Sequence, residues 1–269
     1  MIRPRALTAY ALAYMVFLYA PIALLPIFAF NDGQIIAFPL QGFTTKWFAG
    51  LLKTPALHDA LGNSLLVAGV SAVLAVILGI CAARASSRHR FKGQRIIMGG
   101  IMLPLVLPEI IVAVALLVVI LRLGLPLGLW SVIAGHVLLC TPFAIAILNG
   151  AFASLDPAME EVARDLGASP SEAFRTITLP LVMPGIVSSL LIAFTISLDE
   201  FIVAFFLTRT DPTLPVYSWS QLRFPAQVPV VMALGTILVA SSIILLVVAE
   251  TFRRRGLARA GRKDTGGFL

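Results

Sequence analysis

The fold class this sequence predicts is an all-α membrane protein with six transmembrane helices, and three observations predict it. Of the 269 residues, 59% are hydrophobic and only 12% charged, about half the charged share of an average soluble domain. Six long apolar stretches reach the roughly 20 residues that a helix needs to cross a bilayer. The basic residues, finally, crowd the ends of those stretches on one side. Periodicity says little in so apolar a chain, and uninterrupted apolar length decides.

The stretches are 6–30, 61–83, 96–121, 127–153, 184–207 and 228–249. The first is longer than the apolar core of a signal peptide and lacks a convincing small-x-small cleavage site, so it is read as a retained helix. Between it and the second, the loop 31–59 carries Phe43, Trp47 and Phe48, which suit an interfacial or surface helix. The third stretch is interrupted by Pro104, Pro108 and Glu109, where a kink is expected. Gly124-Leu125-Pro126-Leu127-Gly128 has Gly-x-x-x-Gly spacing, but its proline makes it a turn. The loop 208–227 carries Pro212, Pro215 and Pro225 with Tyr217 and Trp219 between them, and reads equally as part of a docking surface or as a plain capping loop. The chain is read as one membrane domain, 1–269, with a polar loop at about 154–183 and a basic tail at about 251–269, mobile beyond Arg255.

A net charge of +7 and a pI near 10 would fit a nucleic-acid binder, but the positions do not. Arg3 and Arg5, Arg84 to Arg95, Arg164 and Arg175, and Arg253 to Lys263 put fifteen of the 20 basic residues on one side. The positive-inside rule then places both termini and the polar loop in the cytoplasm. This charge orients the chain and meets lipid headgroups. Cys81 and Cys140 fall inside spans and are read as small packing residues.

The polar loop reads as two short capped helices. Asp156 is a candidate N-cap with Pro157 in the first helical position, and Glu160 and Glu161 follow at the positive helix end. Gly167 suits a left-handed terminator. Ser169, Pro170 and Glu172 form a capping box for the second helix, which is expected to end near Ile177, before Pro180 and Pro184.

The spacing Glu161-Val162-Ala163, Gly167, Ile177-Thr178-Leu179-Pro180 resembles the "EAA" loop of the membrane subunits of ABC importers, with Val162 at the second alanine. That resemblance implies the type I importer permease (MetI-like) fold, with cytoplasmic coupling helices that receive movement from an ATPase. The coupling residues would be Glu160, Glu161, Val162, Ala163, Asp165, Leu166, Gly167, Ala168 and Pro180. Gly42-Phe43-Thr44 and Asn63-Ser64-Leu65 also resemble this family.

Glu109, Asp199 and Glu200 fall within spans, with no lysine or arginine inside any span to pair with them. An Asp at a helix centre costs about 2.5–3.5 kcal/mol even on a lenient scale, so such acids are functional candidates. Asp199 lies ~22 Å along the fifth stretch, toward the external half, and Glu109 near the middle of the third. An acid could equally cap a broken helix, bond backbone freed by a proline, or pair with an arginine of another subunit. Asp199 and Glu200, being adjacent, cannot both face one pore. Ser197-Leu198-Asp199-Glu200-Phe201-Ile202-Val203 with Thr213-Leu214-Pro215 resembles the spermidine/putrescine permeases of the ABC importer superfamily.

By that resemblance the chain would work in the bacterial inner membrane as a permease for polyamines. Its partners would be a homologous second permease (a heterodimer), two ABC ATPases, an external binding protein and membrane lipid, with no nucleic acid. ATP and Mg would sit on the ATPases. The chain itself has no P-loop, no zinc-spaced histidines among His58, His89 and His136, and no nucleophile elbow, so no cofactor, metal or covalent catalysis is expected of it. Rival readings keep the architecture for another organic solute or a metal chelate, or make the acids a proton relay of a secondary transporter. A purely structural scaffold leaves the acids unexplained.

Overall fold

The computed structural model describes residues 4–88, 91–156 and 158–259. Among them the regular structure is helical, apart from one isolated bridge between Asn31 and Phe43. In chain order the helices are α1 (Pro4–Ala29), α2 (Lys46–Leu51), α3 (Pro55–Arg88) and α4 (Gln94–Met102). Then come α5 (Glu109–Arg122), α6 (Leu129–Ala153), α7 (Ala158–Asp165) and α8 (Pro170–Ala173). The last four are α9 (Leu179–Asp199), α10 (Ile202–Leu207), α11 (Leu214–Gln221) and α12 (Val228–Arg259).

The chain divides into two compact units: Met1–Pro55 with Ser218–Leu269, and Ala56–Tyr217. In the first, α1 and α2 pack with α12. Asn31, 2% exposed, organises the turn after α1. Its Oδ1 accepts from the Gln41 N–H at 2.8 Å, and its carbonyl accepts from the Trp47 indole at 2.8 Å. Phe30 stacks on Phe43 and tilts against Phe48. The aromatic residues anticipated for a surface helix thus pack α2 and the residues before it against the end of α1.

In the second unit α6 is the central helix, packed on α9, α10 and α5. Lipid tails are as apolar as leucine, so close van der Waals contact decides such packing, and small residues allow it. A Cβ added at Gly135 would lie 2.5 Å from Val203 Cγ1, and one at Gly185 2.5 Å from Ala151 Cβ. Ala72, Ala75, Cys140 and Ala193 form another small-residue layer, in which the Cys140 thiol donates to the Ala193 carbonyl. Cys140 is therefore a packing residue; Cys81 is exposed.

Four helices are long and apolar enough to cross a membrane: Leu7–Ala29, Pro55–Arg88, Leu129–Ala153 and Pro170–Asp199. The bent pair Gln94–Leu105 and Glu109–Arg122 would make a fifth. Of the sixth stretch, the apolar helix Pro225–Ser241 is shorter, and the side chains of 245–249 lie outside the described residues. The all-α membrane class stands on these helices.

Three expectations need correction. The third stretch is not a kinked helix but two helices at 105°. Pro104 and Pro108 each remove a backbone donor, and Pro108 is extended at ψ 129°, so the helix stops and restarts at Glu109. Glu109 is consequently the first residue of α5 instead of lying mid-helix. The second loop helix does not break before Pro180. It passes through a widened π turn, Phe174–Thr178, into α9, giving one 30-residue helix Pro170–Asp199. The wide turn absorbs the missing proline N–H, and Pro184 is likewise carried inside α9. Finally, the fifth stretch ends at Asp199, since Glu200 is extended at ψ 122°, and α10 starts anew.

Elsewhere α11 occupies part of the loop 208–227. Beyond Arg255, read as mobile, α12 continues to Arg259; residues 260–269 of the tail lie outside the described residues. Gly124 is left-handed at φ 69° and ends α5, in keeping with the turn assigned there.

Candidate functional site

The polar loop is built by local capping. Asp156 Oδ1 accepts from the Ala158 N–H at 3.0 Å, starting α7 as its N-cap. Pro157 lies outside the described residues. The helix stops at Gly167, left-handed at φ +96°. There the Ala168 N–H reaches the Ala163 carbonyl (3.0 Å) and the Gly167 N–H reaches the Arg164 carbonyl (2.9 Å). That paired pattern satisfies carbonyls the helix end would leave bare. At α8 the Glu172 N–H donates to Ser169 Oγ (3.3 Å) while the Ser169 N–H donates to Glu172 Oε2 (2.7 Å), a complete capping box.

The faces of α7 divide by chemistry. Inward, Ala163 is buried, and Glu160 Oε1 accepts from the Thr178 hydroxyl at 2.5 Å with Arg88 Nη2 3.6 Å away. Outward, Met159, Val162 and Leu166 are exposed, Leu166 by 84%, at helical spacing that puts them on one stripe. Glu161, Asp165 and Gly167 are exposed, Ala168 is half-buried, and Pro180 is exposed on α9. Glu160 faces the chain's own helices, unlike its neighbours.

The three acids part company. Glu200 is buried, 8% exposed; its Oε1 accepts from the Val203 N–H at 2.8 Å and its Oε2 from the Ala204 N–H at 3.0 Å. It therefore satisfies donors at the start of α10 that would otherwise be bare inside a membrane. His136 Nε2 lies 3.1 Å from Glu200 Oε2, close for a charge contact though off the line of a straight hydrogen bond. His136 Nδ1 is hydrogen-bonded to Ser197 Oγ at 2.7 Å. The expectation of three acids lacking an intrachain basic partner is thus overturned for Glu200, because a buried histidine of α6, and not a lysine or arginine, lies beside it.

Glu109 and Asp199 are exposed and have no hydrogen-bond or ion-pair partner among the described residues. Their settings differ. Glu109 opens α5, where the helix dipole favours a negative charge. Asp199 closes α9, where the dipole opposes one. α5 and α10, each restarting after a break, pack together through Val112, Ala113, Val203 and Ala204. Sequence reasoning missed His136 and Ser197; the available signal was that an ionisable residue of either sign inside a span needs a partner.

Residues 75–256 match the family described as "binding-protein-dependent transport system inner membrane component". The spermidine/putrescine transport system permease protein PotC of Shigella flexneri is 34% identical over 95% of this chain and 94% of its own length. The putrescine transport system permease protein PotI of Escherichia coli (strain K12) is 36% identical over 91% of this chain and 92% of its own. Among solved structures, a chain of a bacterial alginate ABC transporter in complex with alginate pentasaccharide-bound periplasmic protein superposes with a TM-score of 0.71 over 93% of each chain. At 22% identity that likeness is one of fold. The chain belongs to the family of inner membrane components of binding-protein-dependent transport systems, the permease subunits of ABC importers.

Proposed function

We propose that this chain is the six-span, non-catalytic permease subunit of a polyamine importer, working in the inner membrane with both termini cytoplasmic. The observation that carries the substrate class is identity of 34% and 36%, over more than nine-tenths of the chain, to permeases named for spermidine and putrescine. Asp199 adds a physical reason. A carboxylate at the unfavourable end of a helix, without a partner, is stabilised by a passing cation more than one already paired.

The partners in this reading are a homologous second permease, two ATPases holding ATP and Mg, and an external binding protein. The stripe Met159, Val162 and Leu166 enters a groove on the ATPase, with Glu161 and Gly167 at its edge. Movement of α7 passes inward through Glu160 to Thr178 at the base of the Pro170–Asp199 helix and to Arg88 on α3. Because those two long helices cross the membrane, tilting their lower ends opens the pathway at one face and closes it at the other. Polyamine released by the binding protein then descends past Asp199 and Glu109.

The test is reconstitution of the complete importer in vesicles, with uptake of labelled putrescine and spermidine measured against a neutral solute of similar length. ATP-dependent accumulation of the diamines alone supports the reading. Uptake driven by a proton gradient without the ATPase, or equal uptake of the neutral solute, would remove it.

A further inference from the structure

We propose that His136 is a positioning residue for transport: it straddles the break between α9 and α10 and holds Asp199 as the free carboxylate of that break. The inference rests on the cation-passage reading above. Its basis is a single imidazole, 1% exposed, that touches both sides of the interruption. Nδ1 meets Ser197 on the last turn of α9 at 2.7 Å, and Nε2 meets Glu200, which caps α10, at 3.1 Å. With the proton on Nε2, Nδ1 accepts from the Ser197 hydroxyl, while the Nε2 edge lies in polar contact with the Glu200 carboxylate, so one ring touches both ends.

Asp199 lies between those two anchors in the chain. Ser197 and Glu200 are 3% and 8% exposed, whereas Asp199 is exposed. Breaking a helix inside a membrane frees its main chain, and an unanchored junction there samples several conformations. Anchoring the residues on either side to α6 leaves the Asp199 backbone little freedom. A second, independent contact fixes α6 at the same place: Gly135, beside His136, has Val203 Cγ1 and Leu207 Cδ1 where its Cβ would be, at 2.5 and 2.9 Å. The α6 backbone is pressed against α10 there, so the imidazole is presented from a rigid surface. His136 touches no transported molecule in this scheme; it acts through Asp199.

The test uses the complete reconstituted importer with its loaded binding protein, carrying His136→Leu, His136→Gln, Ser197→Ala, Asp199→Asn or the double variant His136→Leu/Asp199→Asn. The readouts are labelled putrescine moved per ATP hydrolysed, the ATPase rate, and the yield of assembled complex. His136→Leu is expected to lower putrescine per ATP about tenfold, the effect of losing the Ser197 hydrogen bond together with the Glu200 contact, at an unchanged ATPase rate. Glutamine, which offers both a donor and an acceptor, restores most of it. The double variant transports no worse than Asp199→Asn alone, since residues acting through one another are not additive.

Additive losses in the double variant, or parental coupling in His136→Leu beside an impaired Asp199→Asn, would overturn the positioning role and spare the passage reading. Parental transport by Asp199→Asn would instead remove the passage reading. If His136→Leu fails to assemble, Ser197→Ala carries the test. It removes one anchor only, and parental putrescine per ATP in that variant overturns the proposal.

Discussion

The Ser64 hydroxyl oxygen accepts a 2.7 Å hydrogen bond from the backbone N–H of Leu214, 150 residues further along the chain. Beside it, Asn63 Nδ2 donates to the Pro212 carbonyl at 3.2 Å. Two short segments that each resembled a permease family are therefore halves of one joint between α3 and the start of α11. Ser64 is 2% and Leu214 6% exposed, so no solvent replaces the bond. Ser64→Ala is expected to cost about 1–3 kcal/mol, the penalty of a buried donor left bare. The check is the thermal midpoint of the purified protein in detergent. Melting unchanged from the parent would mean that Leu214 finds another acceptor.

At Gly167 the strain is purely one of backbone conformation. Its φ is +96°, and an added Cβ would meet nothing within 4 Å. Gly167→Val is expected to strain the turn by roughly 1–2 kcal/mol and to misaim α7 against α8. Gly167→Asn, a residue that tolerates the left-handed region, should retain most activity. Co-purification of the ATPase with the permease, read beside uptake, checks the pair. Normal values for the valine variant would sever this turn from coupling.

Leu166, 84% exposed, contributes little to the stability of the permease alone. Leu166→Asp should leave insertion and yield intact while stripping the ATPase from the complex. One buried leucine at an interface is worth about 1.5–3 kcal/mol, a ten- to hundredfold loss in affinity. Val162→Asp and Met159→Asp should act in the same direction. A complex that keeps its ATPase after all three would place the docking face elsewhere on the loop.

The amide variants of the acids separate pathway from architecture. Asp199→Asn and Glu109→Gln are expected to lower putrescine uptake while the complex assembles and hydrolyses ATP, since neither side chain holds a partner among the described residues. Glu200→Gln weakens two charge-assisted hydrogen bonds and the contact with His136. Its first effect is loss of assembled protein, by about 1.5–3 kcal/mol for a bond to a charged group. Yield in detergent and uptake per assembled complex distinguish the two outcomes. Equal behaviour of all three variants would contradict the division.

The loop was legible in the sequence because capping is local. Asp156, Gly167 and the pair Ser169 with Glu172 satisfy backbone groups within five residues of themselves, so residue type and spacing suffice to predict them. Apolar length likewise predicted the long helices, since bilayer thickness sets it. Prolines were read less well. Pro104 and Pro108 end a helix, whereas Pro180 and Pro184 sit inside one. At Pro180 the difference is the π turn Phe174–Thr178 just before it, which no residue in the stretch announces.

An all-helical membrane chain and a capped polar loop of a known permease pattern were readable from residue order alone, because these follow from composition and from neighbours along the chain. Only the tertiary structure decided which acids are free. Glu200 is held by His136, 64 positions earlier in the chain, and by the restart of α10, while adjacent Asp199 is left exposed. A helix break turns consecutive side chains into different surroundings, and which of them finds a partner depends on what α6 presents across the packing interface.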